Sequence, residues 1–401
     1  MDVSVDGGRP GGIHFRTASY RVESLDSYQQ FLSVKGHWDD LFKRAIDAYP
    51  TTSHAWLSAW WRTFGNDRPL YIVLVWDGDA LIGSAPLLYD TKEMLRLNLR
   101  VLRPWVNEWV DCFNFLVVEP VDQVVDAIFN HLDDINQTWD LLELPRMDSN
   151  SVVTESFLRA CRARDRAIGV EDDLQSPVLR LPNSWDELLT TLSPSFRQTL
   201  KRKVRAAHKI PGLRMRVITE PSVIEPIIEI SKESWQHEQG TSIASRADIR
   251  AFYQAVIESY AKREQLYCAL MEVDGEPAAF ELNLAHQSTM YNFKLGFKKK
   301  FSHLSTGVVL KAFFLEEILQ PANNNGRTFD TYDFMGTAED YKLRWSKFLR
   351  AQNQYIVFSN RGSARRLHKW LYVVRPYMRE RMPALYSLAK RVSNGVHMGR
   401  T

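Results

Sequence analysis

Between Tyr332 and Trp345 the chain reads YDFMGTAEDYKLRW. Two acids, Glu339 and Asp340, are followed at once by Tyr341 and Lys342. A carboxylate can take a proton, a phenol can give one, and an ammonium can offset a developing negative charge. The residues before them suit a strand, and Gly336 breaks the run. A strand end would thus deliver all three groups into one short turn, with Asp333 adding a carboxylate from the strand itself. Each group also has an ordinary structural use. Tyr341 can pack beneath a sheet, Asp333 can be an internal hydrogen-bond partner, and Lys342 can pair with Glu339 three residues before it.

A second candidate lies upstream, in NFKLGFKKKFSHLSTGVVLKAFF. A strand ends, Lys298, Lys299 and Lys300 follow, and SHLSTG opens a helix. Ser305 or Thr306 can cap that helix, and Gly307 lets the backbone turn tightly. Its first N–H groups and positive dipole end, at Ser305, Thr306, Gly307 and Val308, suit a pyrophosphate. The plainer reading is a capped surface helix beside a solvated charge run. A third candidate is the helix FRQTLKRKVRAAHK, which holds no acid. Arg197, Lys201, Arg205 and Lys209 share one face, fit for phosphate contact or for solvent, while Phe196, Leu200 and Val204 share another and pack inward. In SWQHEQG, Trp235 and His237 are candidates for acceptor contact. RPWVNEWVDCFNF, in the first half, is a candidate lining for a cleft between lobes, or interlobe packing.

Other chemistries are disfavoured by what the chain lacks. It has no G-x-x-x-x-G-K-[ST] and no G-x-S-x-G. Its 10 histidines show no paired metal spacing and its 3 cysteines form no C-x-x-C, so no metal site is expected.

The elements that must position these groups recur in two halves. In the first, helices DDLFKRAID and SHAWLSAWWRTF precede a hairpin, LYIVLVW–DGDA–LIGSAPLLY, with Asp-Gly as its turn. A strand CFNFLVV, a helix VDQVVDAIFNHL, a strand WDLLELP stopped by Pro145 and a helix SVVTESFLRACRA follow. In the second, helices precede the hairpin LYCALMEV–DGEP–AAFELNLAH, then strand TMYNFKLGF, helix TGVVLKAFFLEEILQPA, and strands TFDTYDF and QYIVFSN. The shared order suggests duplication of one α/β unit with a boundary near Pro182.

Strand, phosphate-loop-like turn, helix, strand is the order of the GNAT acyltransferase core. The stretch from Ser302 to Trp345 resembles the C-terminal block of the cellulose-biosynthesis-type (CelD-like) branch, relatives of the FemAB aminoacyltransferases. The resemblance covers about residues 180–360 well; the usual phosphate loop is reduced to Ser302-x-x-Ser305-x-Gly307. It implies an α/β fold of two tandem GNAT-like lobes, mixed sheets flanked by helices, over 20–181 and 182–360. A flexible N-terminus, 1–19, and a basic helical tail, 361–401, would flank them. It implies no permanently bound cofactor and acyl-CoA (acetyl-CoA) as cosubstrate. By position Tyr341 would protonate the leaving thiolate and Lys342 offset charge. Asp333 and Glu339 are the candidate bases. Backbone N–H groups near Lys294 and Leu295 would hold the oxyanion. Arg197, Lys201, Trp235 and His237 would contact substrate. The acceptor would be an amine of a small molecule or glycan: an amino sugar, a polysaccharide precursor of exopolysaccharide biosynthesis, or an amino acid derivative. The rival readings are a FemAB-like transferase using aminoacyl-tRNA and a non-catalytic scaffold of an envelope polysaccharide complex.

Charge is unevenly spread. Of 51 basic and 48 acidic residues, ten bases and one acid fall in 361–401, so a tail of +9 follows a body of −6. Leu367, Trp370, Leu371 and Val374 recur there at helical spacing among bases, a pattern suited to an anionic membrane surface or to docking on the acidic body. Pro376 and Pro383 are expected to kink it. The start of the chain lacks the pattern of a signal peptide, and no run reaches the ~18 apolar residues of a spanning helix. The expectation is a cytoplasmic protein, with peripheral contact at the inner membrane face through its tail.

Overall fold

The structure, a computed structural model, describes residues 20–65, 68–107, 110–324 and 326–381. The expectations for 1–19 and for the last part of the tail lie outside these residues. Among the described residues no helix is long and apolar enough to cross a membrane.

Among the described residues thirteen strands form one mixed sheet. They are β1 (Arg21–Leu25), β2 (Leu70–Asp77), β3 (Ala80–Met94), β4 (Leu97–Pro104), β5 (Leu116–Val117), β6 (Leu141–Asp148), β7 (Ile168–Arg180), β8 (Leu213–Ile218), β9 (Leu266–Val273), β10 (Glu276–His286), β11 (Thr289–Phe297), β12 (Thr331–Asp333) and β13 (Leu349–Phe358). Their order is β1-β2-β3-β4-β6-β13-β7-β12-β11-β10-β9-β8, with β5 on β3. Both Asp-Gly hairpins form as their sequences predict, β2–β3 and β9–β10. At the second turn Asp274 and Gly275 take φ of 51° and 82°, the left-handed pair that such a turn requires.

Two features depart from the sequence reading. Pro145 does not stop β6, which runs on to Asp148. Proline has no N–H for the ladder, and the β6–β13 register shifts there, with Arg146 at φ 59°. The halves are also interlocked. β13, from the end of the second half, lies between β6 and β7 of the first. β7 in turn pairs with β13 over Ile168–Pro177 and with β12 over Val178–Arg180. One hydrophobic cluster includes residues from Leu25 to Val357, and a second lies within Leu179–Trp345. In the first cluster Trp56 of the helix His54–Phe64 meets Phe252 and Phe293 of the second half at centroid distances of 5.1 and 4.9 Å. The hydroxyls of Ser53 and Tyr260 lie 2.8 Å apart.

The tail begins as the helix Gly362–Lys369, widens to a π-type turn over Trp370–Val374 and continues as Arg375–Arg381. The chain passes Pro376 as a helix, since the wider turn precedes it and the proline sits in the next first turn. Pro383 lies outside the described residues. The expected apolar stripe is divided. Leu367 is buried and Leu371 packs on the sheet, while Trp370 is exposed.

Candidate active site

β11 and β12 are parallel but pair over only three residues, Thr289–Tyr291 with Thr331–Asp333. Past that point β12 ends and β11 runs on to Phe297. β11 also carries a bulge: Lys294 pairs with Leu282 and Asn292 with Asn283, which leaves Phe293 as the extra residue. A bulge re-aims the backbone groups around it. Where the strands part, a cleft of about 470 Å³ opens.

Many of the sequence candidates line that cleft. β11 gives Leu295; the helix Thr306–Ile318 and its approach give Ser305, Thr306, Gly307 and Val308; the following turn gives Glu339 and Tyr341. Trp235 lines it too, at 39% exposure. The expected cap is not made. Ser305 takes a left-handed conformation, φ 57° and ψ 38°, and its hydroxyl does not cap the helix. The helix start is therefore open toward the cleft, and a Cβ built on Gly307 would meet nothing within 4 Å.

Other candidates stand elsewhere. Lys298 is buried against Glu229, Glu233 and Glu276; Lys299 pairs with Glu238 and Lys300 with Glu276. The lysine run is thus neutralised by carboxylates rather than turned to the cleft, and the three acids around Lys298 hold an ammonium where a cation would sit. On the helix Pro194–Ala207, Phe196 and Leu200 are buried as predicted, but Lys201 is exposed and Arg197 donates to the Leu189 carbonyl at 3.4 Å. Of this helix's bases, the one that lines the cleft is Lys203. His237 is exposed, with Nδ1 3.1 Å from the Ser242 hydroxyl.

Asp333 does not face the cleft. One oxygen accepts from Arg350 at 2.8 and 3.1 Å, and the other accepts from the Met335 amide at 2.8 Å. It is the internal partner that a strand-end acid often is, and it borders a separate cavity of about 260 Å³ with Arg350 and Tyr49. Lys342 is buried; its ammonium donates to the carbonyls of Met335 and Thr337 at 2.9 and 3.1 Å and pairs with Glu339 at 3.1 Å. It holds the turn at Gly336 closed, beside the cleft. Tyr341 is held protonated: burial foremost, then the Glu339 carboxylate, push its phenol well above the usual range.

Two groups went unrecognised in the sequence. The first is a buried triad at the cleft. Lys311 pairs with Glu281 at 2.5 Å, and the Tyr332 hydroxyl bonds to both. Burial pushes the Lys311 ammonium down to about 8, against the pull of Glu281. The signal was present: Lys311 is the single basic residue of TGVVLKAFFLEEI, a helix apolar nearly all round. The second is Asp111, from the first half, which lies in the stretch RPWVNEWVDCFNF offered as a cleft lining but was not singled out there. Its Oδ2 comes within 3.9 Å of a Cβ built on Gly336, and Lys342 Nζ within 3.4 Å of the same point. Burial raises its pKa, opposed by Arg146, Lys294 and Lys342. Lys294, whose backbone neighbours the bulge, points its side chain away from Leu295 toward Asp111 and Tyr253. The turn after β12 thus has the large cleft on one side and an ionic cluster from the first half on the other.

Residues 194–343 match a family model described as an acetyltransferase (GNAT) domain, over less than half of the chain. The chain therefore carries a GNAT acetyltransferase domain and is an acyltransferase. Among solved structures it is similar to FemX, with 11% identity and a TM-score of 0.60, covering 87% of this chain and 99% of that one. It is also similar to the C-terminal domain (DUF2156) of a putative lysylphosphatidylglycerol synthetase from Agrobacterium fabrum, with 9% identity and a TM-score of 0.51, covering 83% and 94%. Likeness at these identities concerns the fold. No curated protein matches the chain.

Proposed function

We propose that the protein transfers an acyl group from acyl-CoA to an amine by direct attack on the thioester, and that it stands with the cellulose-biosynthesis-type branch. The observation that carries this is the meeting of an uncapped helix start, a bulged strand and a protonated tyrosine in one cleft. The donor's pyrophosphate would lie against the N–H groups of Thr306 and Gly307, that of Val308 being turned to the Ser305 carbonyl at 3.0 Å, and the helix dipole favours negative charge there. The thioester carbonyl would lie at the β11 bulge, with N–H groups near Lys294 and Leu295 holding its oxygen as charge develops. The acceptor amine would enter from the Asp111 side. Asp111 takes over the role expected of Asp333: it removes the proton from the attacking nitrogen as the C–N bond forms. The C–S bond then breaks, and Tyr341 gives its proton to the thiolate. Arg146, 3.9 Å from Asp111, suits an acceptor that also carries an anionic group, such as an amino sugar phosphate or an amino acid derivative.

Gly307→Glu tests the donor site. A Cβ there meets nothing within 4 Å, and a carboxylate at a helix start is electrostatically acceptable. Against a pyrophosphate it is repulsive. Calorimetric titration with acetyl-CoA should detect binding to the native protein and none to the variant, with thermal melting unchanged. Equal affinities, or retention of aminoacyl-tRNA with no affinity for acetyl-CoA, would overturn the reading.

A further inference from the structure

The tail has two apolar faces. Leu367 is buried and Leu371 and Tyr372 pack beside it on Leu99, Val101, Leu141, Ile356 and Phe358. Tyr372 lies on Gly169, where a Cβ would come within 2.1 Å of its ring, and its hydroxyl donates to Glu171 at 2.7 Å. This face fastens the tail to the sheet. Among the described residues the opposite face is exposed: Trp370, Val373 and Tyr377 are 38%, 53% and 61% exposed. They follow one another at three and four residues, and all three are turned outward through the π-type turn and the helix after it. Arg366, Lys369, Arg379 and Arg381 are exposed around them, with Glu380 as the one acid of the segment Arg361–Arg381.

We propose that this outer face docks the protein on an anionic lipid bilayer. Three apolar side chains are far too few for a stable protein interface, which buries about 800 Å² on each partner. They match what a bilayer boundary takes: a tryptophan and a tyrosine at headgroup level, an aliphatic between them, and bases facing acidic lipids. Since Tyr372 and Leu367 hold the other face to the sheet, the contact would carry the whole catalytic body, not a loose arm. The stripe that faces lipid is Trp370, Val373 and Tyr377, not the one the sequence spacing suggested.

The test is co-sedimentation of the full chain with vesicles of phosphatidylcholine, with and without phosphatidylglycerol. The native protein should bind the mixed vesicles and not the neutral ones. Arg379→Gln/Arg381→Gln should lower the partition coefficient roughly 30-fold, two bases near such a surface contributing about tenfold or less each. Trp370→Ser/Tyr377→Ser should lower it at least about tenfold. Both pairs are exposed, so far-ultraviolet spectra and melting should not change. Unchanged partition in both variants, equal binding to neutral vesicles, or no binding at all would overturn the proposal. So would self-association without lipid that the aromatic variant abolishes, which would assign the face to a second copy of the chain.

Discussion

Lys311→Met removes the ammonium from the buried triad and keeps most of the side chain's volume. Glu281, 2% exposed, then retains the Tyr332 hydroxyl but loses its counter-charge. Removing one partner of a buried ion pair costs about 3–5 kcal/mol, because an uncompensated charge stays in a dry site. With an unfolding entropy near 2.1 cal/mol/K per residue, that lowers Tm by roughly 4–6 °C if the chain unfolds as one unit. Lys311→Met/Glu281→Leu removes both charges, leaves Tyr332 bonded to Asn283, and should recover most of the loss. Differential scanning calorimetry at neutral pH measures both. The lysine also sets a pH dependence. Its folded pKa is pushed down to about 8 from 10.5. Between those values the unfolded chain holds the extra proton, so the native protein gains stability as pH rises through that window. The penalty is present in full below it. Lys311→Met should lack this rise. A single variant as stable as the native protein, or a double variant no better than the single one, would refute the reasoning.

Tyr341→Phe should lower turnover roughly 10²–10⁴-fold with donor affinity unchanged, read by thiol release from acetyl-CoA in the presence of an amine acceptor. Asp111→Asn should lower turnover by roughly 10²-fold or more and remove the acid limb of the pH–rate profile, whereas a merely structural Asp111 would leave the shape of that profile intact. His286 is stacked on Phe42 at 4.1 Å and burial pushes its pKa to about 4. As pH falls from 6.5 toward 4, the unfolded chain takes a proton that the folded one refuses, and stability drops by roughly 2 kcal/mol at pH 5. His286→Phe should flatten that drop in urea titrations; identical acid sensitivity in both proteins would sink the assignment.

What was legible in the sequence was local. The Asp274–Gly275 pair makes the second hairpin turn, and Gly78 followed by Asp79 makes the first, because few other residues accept the left-handed conformation. TMYNFKLGF is β11 from end to end, and the turn from Ser305 to Val308 reaches the cleft that its glycine and polar residues suggested. What was not legible depends on partners far away in the chain. Asp333 became an internal ion pair because Arg350 arrives on β13, and Lys298 became a buried hub because Glu229 and Glu276 close on it. Nothing near residue 350 announced that β13 would insert into the other half's sheet. Arg197 and Lys201 follow the helix period, yet Lys203 lines the cleft: it sits three residues after Leu200, at the border of the buried face, where a long side chain can reach inward.

The central claim is that acyl-CoA binds where β11 and β12 part, on the open start of the Thr306 helix. Amide hydrogen exchange with and without acetyl-CoA reads this residue by residue. The claim predicts slowed exchange at Leu295–Phe297 and Thr306–Leu310, lost in Gly307→Glu. Protection confined to other segments, or none at saturating acetyl-CoA, would contradict it.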